Sequence, residues 1–288
     1  MIWHPERGGL ESSDEMPGMQ VRDRYESFAL WRTLLTMLKQ IKRIMPAALR
    51  KRLGRLYRER WKEHATKSYS QEGEDLLLAR IFEELQVETG FFVDIGAHHP
   101  KRFSNTYYFY RRGWCGINVD PMPGSKRMFE RARPRDITVE CGVGAKAGVL
   151  EYFSFNEPAL NTFSATEARK KDVPPYRLVE RLQIPVRPLG PLLDEHLPEG
   201  TRIDFMTIDV EGFDHEVIAS NDWNRYRPRV ILIELLNTRI EEIETHQTSR
   251  LLHAQDYRLF AKTLNTCFFV ACEEFNHDAD TEYGKRHE

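Results

Sequence analysis

From residue 68 onward, short apolar runs alternate with amphipathic stretches. That order leaves few folds open, because strand and helix signals in strict alternation mark parallel strands covered by helices. The spacing predicts strands over residues 90–95 (GFFVDI), 116–120 (GINVD), 137–141 (ITVEC), 203–209 (IDFMTID) and 230–235 (VILIEL). Helices are expected over 105–112, 125–132, 191–197 and 215–220. The pattern then changes: residues 257–262 and 267–271, joined through 263–266, read as an antiparallel hairpin. The expected architecture is α/β, a doubly wound sheet of five parallel strands closed by that hairpin with one reversed edge strand. The polar stretch between 148 and 188 interrupts the pattern and reads as a long loop suited to recognising a ligand.

Four segments are expected: a loose arm at 1–22, a basic helical extension at 23–67, a catalytic domain at 68–275 and a polar tail at 276–288. The extension places 14 Lys/Arg against four acids within residues 22–67, with Phe28, Trp31, Leu34, Leu35, Leu38 and Ile41 at helical spacing. Two uses fit that pattern: packing on the chain's own catalytic domain or a dimer mate, which is favoured, or lying through residues 24–62 on an anionic membrane surface. A net charge of -2 gives no reason to expect nucleic acid. The four cysteines (Cys115, Cys141, Cys267, Cys272) lack CxxC spacing and sit mostly in apolar runs, as buried thiols of a cytoplasmic protein would. A membrane span of roughly 18 to 20 apolar residues and a signal peptide are both missing from the pattern.

The strongest local signal is Asp94-Ile95-Gly96-Ala97-His98-His99, an apolar strand running into a glycine turn at the edge where such sheets bind ligands. Gly96 is expected to let a ligand approach the backbone, and Asp94 to accept from an ammonium or a water. The next strand ends in Asp120, 26 residues after Asp94, placed to accept both hydroxyls of a ribose. A nicotinamide cofactor would use the same acid, but its G-x-G-x-x-G turn is replaced here by one glycine followed by His98, His99 and Pro100. A nucleoside without a pyrophosphate fits better. Gly142, after the third strand, is expected to leave room for a flat base.

The stretches SYSQEGEDLLL (68–78), GFFVDIGAHHPKRFSNTYYFYRRGWCGINVDPMPGS (90–125) and IDFMTIDVEGFDHEVI (203–218), followed by VILIEL, resemble the FkbM methyltransferase family over roughly residues 68–272. The resemblance implies a class I methyltransferase, Rossmann-like fold, S-adenosylmethionine as donor, and O-methylation of sugars in glycans or of natural products. Carried over by position, Asp94, Gly96 and Ala97 would line the methionine end of the cofactor. Asp120, with Pro121, would meet the ribose, and Cys141, Gly142 and Val143 the adenine. Gln71 and Glu74 would cap the amino-acid moiety, and Ser104, Asn105 and Thr106 would add polar contacts.

Methyl transfer to a hydroxyl needs alignment and a proton acceptor. Asp209 and Glu211 end the fourth strand and Glu234 the fifth, forming an acidic group on the same edge as Asp94. Three readings stay open: a carboxylate or His98 acts as general base; Asp209, Glu211 and Glu234 hold Mg²⁺; or Asp209 braces the cofactor while Glu211 caps the next helix. His215 is expected only to pack. The acceptor would be a sugar, a nucleotide sugar or a lipid-linked glycan, with a small natural product as the alternative. A glycan-binding scaffold without activity is the rival of another class, disfavoured by the presence of Asp94, Asp120, Asp209 and Glu211 together.

Overall fold

A computed structural model describes residues 65–274. The arm, the tail and the basic extension up to residue 64 lie outside the described residues, and with them the proposed lipid contact. The chain divides between Lys67 and Ser68; the second part carries the fold.

Its main sheet has seven strands: β1 (Phe91–Ile95), β2 (Cys115–Val119), β3 (Ile137–Val139), β7 (Phe205–Ile208), β8 (Val230–Glu234), β9 (Tyr257–Lys262) and β10 (Thr266–Ala271). They run in the order β3-β2-β1-β7-β8-β10-β9. The first five are mutually parallel, and β10 is antiparallel to both β8 and β9. This is the doubly wound sheet that the alternation of strand and helix signals predicts. One expectation is corrected: the reversed strand lies inside the sheet, between β8 and β9, where its six buried residues belong, and the more exposed β9 takes the edge.

The parallel strands are buried on both faces, which is why they read as continuous apolar runs. Successive residues of β1 face opposite cores. Phe91, Val93 and Ile95 pack with helices α5 (Leu189–His196), α6 (Asp214–Ala219), α7 (Ile240–Ile243) and α8 (Gln247–Ala254). Phe92 packs with Phe205 and with α1 (Glu74–Glu84) and α2 (Tyr107–Tyr110) on the other side. Helix α3 (Ser125–Ala132) follows β2 and holds the bounds expected from sequence.

The stretch expected to be a loop is instead a second sheet. Strands β4 (Gly142–Val143), β5 (Gly148–Phe155) and β6 (Leu178–Arg187) pair in the order β4-β6-β5, and helix α4 (Ala165–Lys171) lies between β5 and β6. The first four residues of β5 are exposed and most of β6 is exposed or half-buried. A hairpin solvated on much of its surface carries too few apolar residues to announce itself as a strand pair.

Beneath β1 and β2 sits a buried polar network. Arg133, 0% exposed, donates from Nε to Asp136 at 2.7 Å and from Nη1 to Thr106 at 3.0 Å. Asp136 also accepts from the backbone of Gly116 and the amide of Asn118. Removing one partner of a buried ion pair leaves an uncompensated charge and costs roughly 3–5 kcal/mol. Arg133→Met is therefore expected to lower stability at pH 8 by about that amount; a urea midpoint close to the native one would show that the network contributes little.

Candidate functional site

The carboxyl ends of β1, β2, β7 and β8 converge on one edge, and the backbone geometry of Gly96 makes that possible. Gly96 and Ala97 donate their N–H groups to the Val119 carbonyl at 2.9 and 3.1 Å, while Asp209 donates its N–H to Ile95 at 3.0 Å. Gly96 has φ +83°, and a Cβ there would stand 1.8 Å from the Asp209 carbonyl oxygen. The glycine is thus required by the approach of the β7 end, which corrects the expectation that it clears space for a ligand.

Asp120 ties the two neighbouring turns together. His98, at φ +50°, donates its N–H to one carboxylate oxygen at 2.7 Å, and Met122 donates to the other at 2.8 Å. Burial lifts the carboxyl to about 6 against these two bonds. Each oxygen keeps a lone pair, so Asp120 could still accept two ribose hydroxyls. Pro121 is half-buried beside it. Asp94 is likewise raised to about 6 by burial, and its Oδ2 accepts from Thr106 at 2.7 Å. Oδ1 takes no part in that bond.

Several expected contacts are reassigned. Ser104 is 2% exposed and its hydroxyl is engaged by Thr106 and by the N–H of Tyr107, so it serves the protein and not a ligand. Asn105 donates its amide to Thr207 at 3.0 Å and keeps its carbonyl oxygen. At Gly142 a Cβ would meet Phe163 at 2.6 Å and Val186 at 2.7 Å, so side chains fill the space expected for a flat base. Cys141 and Val143 are buried in the core, with burial pushing the Cys141 thiol up to about 11. Gln71 is exposed. Glu74 is brought close enough to Asp209 for its charge to be felt there, and it accepts from the N–H of Glu72 and the hydroxyl of Thr266. Cysteine burial is also uneven: Cys272 is exposed and Cys115 half-buried.

Asp209, Glu211 and Glu234 do come together, and Asp214 joins them. Burial, then the charges of Glu211 and Asp214, hold the Asp209 carboxyl well above the usual range, although the residue opens to solvent. Burial and Asp209 do the same to Glu234, whose Oε2 has no hydrogen-bond partner. Asp214 rises to about 7 from burial despite accepting from the N–H groups of Val210 and Gly212 at 3.1 Å. Those bonds organise the turn before α6, the role expected of Glu211. Glu211 instead adopts φ +55°, accepts at its carbonyl from Thr162 at 2.9 Å, and pairs through its carboxylate with Lys171 of α4 at 2.5 Å. Among the described residues no group of three or more His, Cys, Asp or Glu side chains could hold a metal ion.

His98 is driven down to about 4, by burial first and then by the Arg102 charge, so it is neutral. Its Nε2 is buried and unpartnered. His215 contacts Thr248 at 3.3 Å. Sequence reasoning missed Lys171, Asp214, Thr162 and Tyr152. Tyr152 is 5% exposed, and both Asp120 and Glu211 push its hydroxyl upward, after burial. Only the alternation around Tyr152 on β5 could have flagged any of them.

These shifts set the sign of a pH dependence. A carboxyl raised on folding favours the native state at low pH, and that contribution is lost as pH rises through the folded value. His98, lowered on folding, opposes this below about 6.5. Asp94, Asp120 and Asp214, joined by Asp209 and Glu234, outweigh it. Without cofactor, the urea midpoint is expected to be higher at pH 5.5 than at pH 8; a midpoint that drops toward pH 5.5 would contradict the shifts.

A family model described as Methyltransferase FkbM domain matches residues 94–259, more than half of the chain, from Asp94 on β1 into β9. Three solved structures are similar. A TehB-like SAM-dependent methyltransferase from Corynebacterium glutamicum is 10% identical, with 75% of this chain and 97% of that one covered and a TM-score of 0.35. Precorrin-6y C5,15-methyltransferase from Geobacter metallireducens is 14% identical, with coverages of 73% and 93% and a TM-score of 0.34. A methyltransferase from Geobacter sulfurreducens is 11% identical, with coverages of 81% and 95% and a TM-score of 0.34. No curated protein matches significantly. None of the helices among the described residues is long and apolar enough to cross a membrane. The nicotinamide alternative falls with the family match: the chain belongs to the FkbM methyltransferase family and is an S-adenosylmethionine-dependent methyltransferase.

Proposed function

We propose that the enzyme methylates a hydroxyl oxygen of a sugar or glycan-like acceptor, free, nucleotide-linked or lipid-linked, and that Asp209 takes the hydroxyl proton. The observation that carries this reading is the acidic group of Asp209, Glu211, Asp214 and Glu234 at the sheet edge, in which burial and neighbouring negative charge hold the carboxyl groups of Asp209, Asp214 and Glu234 upward. A hydroxyl must lose its proton as the methyl arrives, and a base works best with a pKa near the ambient pH. Asp209 has the required direction of shift and is open to solvent. His98, near 4, is too weak a base for that step and offers Nε2 as a hydrogen-bonding atom.

The residues fit the cofactor. S-adenosylmethionine supplies an electrophilic methyl on a sulfonium. Asp120 would hold the ribose through its spare lone pairs, while Asp94 Oδ1 and Glu74 would face the ammonium of the methionine end. The buried, unpartnered Glu234 Oε2 and His98 Nε2 support a ligand in the cleft, since such atoms normally find a partner. The Lys171–Glu211 pair offsets part of the negative charge around Asp209 and so limits how far its pKa climbs. The absence of disulfides among the four cysteines suits the cytoplasm proposed as its compartment.

Incubation with methyl-labelled cofactor and a panel of nucleotide sugars, lipid-linked glycans and small hydroxylated products is expected to place the label on a sugar oxygen, located by NMR. Asp209→Asn should lower kcat by roughly 10²–10⁴-fold, the usual worth of a general base. Label on nitrogen or carbon would refute the O-methyl reading, label on a non-sugar hydroxyl would replace the acceptor class, and an undiminished kcat in the variant would remove Asp209 as base.

A further inference from the structure

Between the turn after β1 and helix α3 lies a groove of about 440 Å³ bordered by His99, Lys101, Gly124, Arg127, Met128 and Arg131. Its charge is opposite to that of the acidic group. Arg127 and Arg131 are one turn apart on α3 and share a face, an arrangement of like charges that is unfavourable in a helix without a counter-anion. Lys101 rests over the Tyr107 ring at 5.9 Å. Nearby acids have other partners than the groove's cations: Glu130 faces Lys126, Glu157 pairs with Arg102, and Glu140, at the rim, accepts from the N–H groups of Gly124 and Lys126. Within the described residues no salt bridge reaches Lys101, Arg127 or Arg131.

His99 adds a directed donor. Its Nδ1 accepts from the N–H groups of Lys101 and Arg102, both at 3.0 Å, which leaves the ring proton on Nε2. Burial and the charges of Arg102 and Lys101 keep the ring neutral. The groove therefore presents two guanidinium forks, an ammonium and an imidazole N–H, a donor set suited to phosphate oxygens. Its volume is that of a small-molecule site. S-adenosylmethionine carries no phosphate, and none of the residues assigned to its ribose and methionine end is among those that line the groove.

We propose that this groove binds a phosphate or diphosphate group of the methyl acceptor, so that the acceptor is a phosphorylated molecule anchored beside the turn that also organises the cofactor cleft. The assignment of the phosphate to the acceptor rests on the function proposed above; the anion site itself does not.

Calorimetric titration of the full chain with inorganic pyrophosphate, against Arg127→Gln/Arg131→Gln, tests the site. Saturable binding by the native chain that weakens at least tenfold in the double variant is expected. No saturable binding, or equal binding by both proteins, would overturn the proposal. S-adenosylhomocysteine affinity of the native chain, read in parallel, reports on the cofactor cleft: its loss would sink the proposed function while pyrophosphate binding stood. Flotation on phosphatidate-containing vesicles then separates two sources of the phosphate. Weaker flotation of the double variant would support the groove and assign its phosphate to a lipid, whereas unchanged flotation with weakened pyrophosphate binding would support it and assign a soluble acceptor.

Discussion

The site depends on two backbones coming closer than any side chain would allow. The carbonyl of Asp209 occupies the place where a Cβ on residue 96 would be, and Gly96 takes a left-handed conformation that costs other residues about 1–2 kcal/mol. That contact seats the end of β7 against the β1 turn. Because Asp209, Glu211 and Asp214 follow directly, the acidic group is brought beside the turn that carries His98, and His98 is in turn tied by its N–H to Asp120. One glycine thereby joins the edge that carries Asp120 to the one that carries the acidic group.

Electrostatics then does the chemical preparation. Asp209, Asp214 and Glu234 are packed so closely with one another and with Glu211 at one sheet edge that burial and neighbouring negative charge hold their carboxyl groups above the usual range. The hairpin sheet supplies the counterweight, since Lys171 on α4 is paired to Glu211 and Thr162 anchors the same turn through its carbonyl. The second sheet is thus part of the site as well as its cover.

The parallel strands were legible because burial on both faces writes them as apolar runs, and the place of Asp120 at the end of the second strand was legible because its distance from Asp94 matches one strand-helix-strand unit. Gly96 was found for the wrong reason: a sequence shows that a glycine is present but not whether backbone or ligand fills its missing side chain. Gly142 misled for the same cause, with Phe163 arriving from a distant part of the chain. The β5–β6 hairpin escaped notice because so much of it is solvated, and with it went Lys171 and Tyr152, whose meaning depends on contacts across the two sheets. Asp214 was hidden because its carboxylate works locally, on the N–H groups of Val210 and Gly212.

The most direct measurement is calorimetric titration of the native chain and of Asp120→Asn with S-adenosylhomocysteine, with NAD as the control ligand. Hydrogen bonds to a charged group contribute roughly 1.5–3 kcal/mol each, so the variant should bind at least tenfold more weakly than the native chain, which should itself bind S-adenosylhomocysteine and ignore NAD. A native, folded chain that fails to bind S-adenosylhomocysteine, or a variant that binds it equally well, would contradict the account of this edge as a cofactor site organised by Asp120.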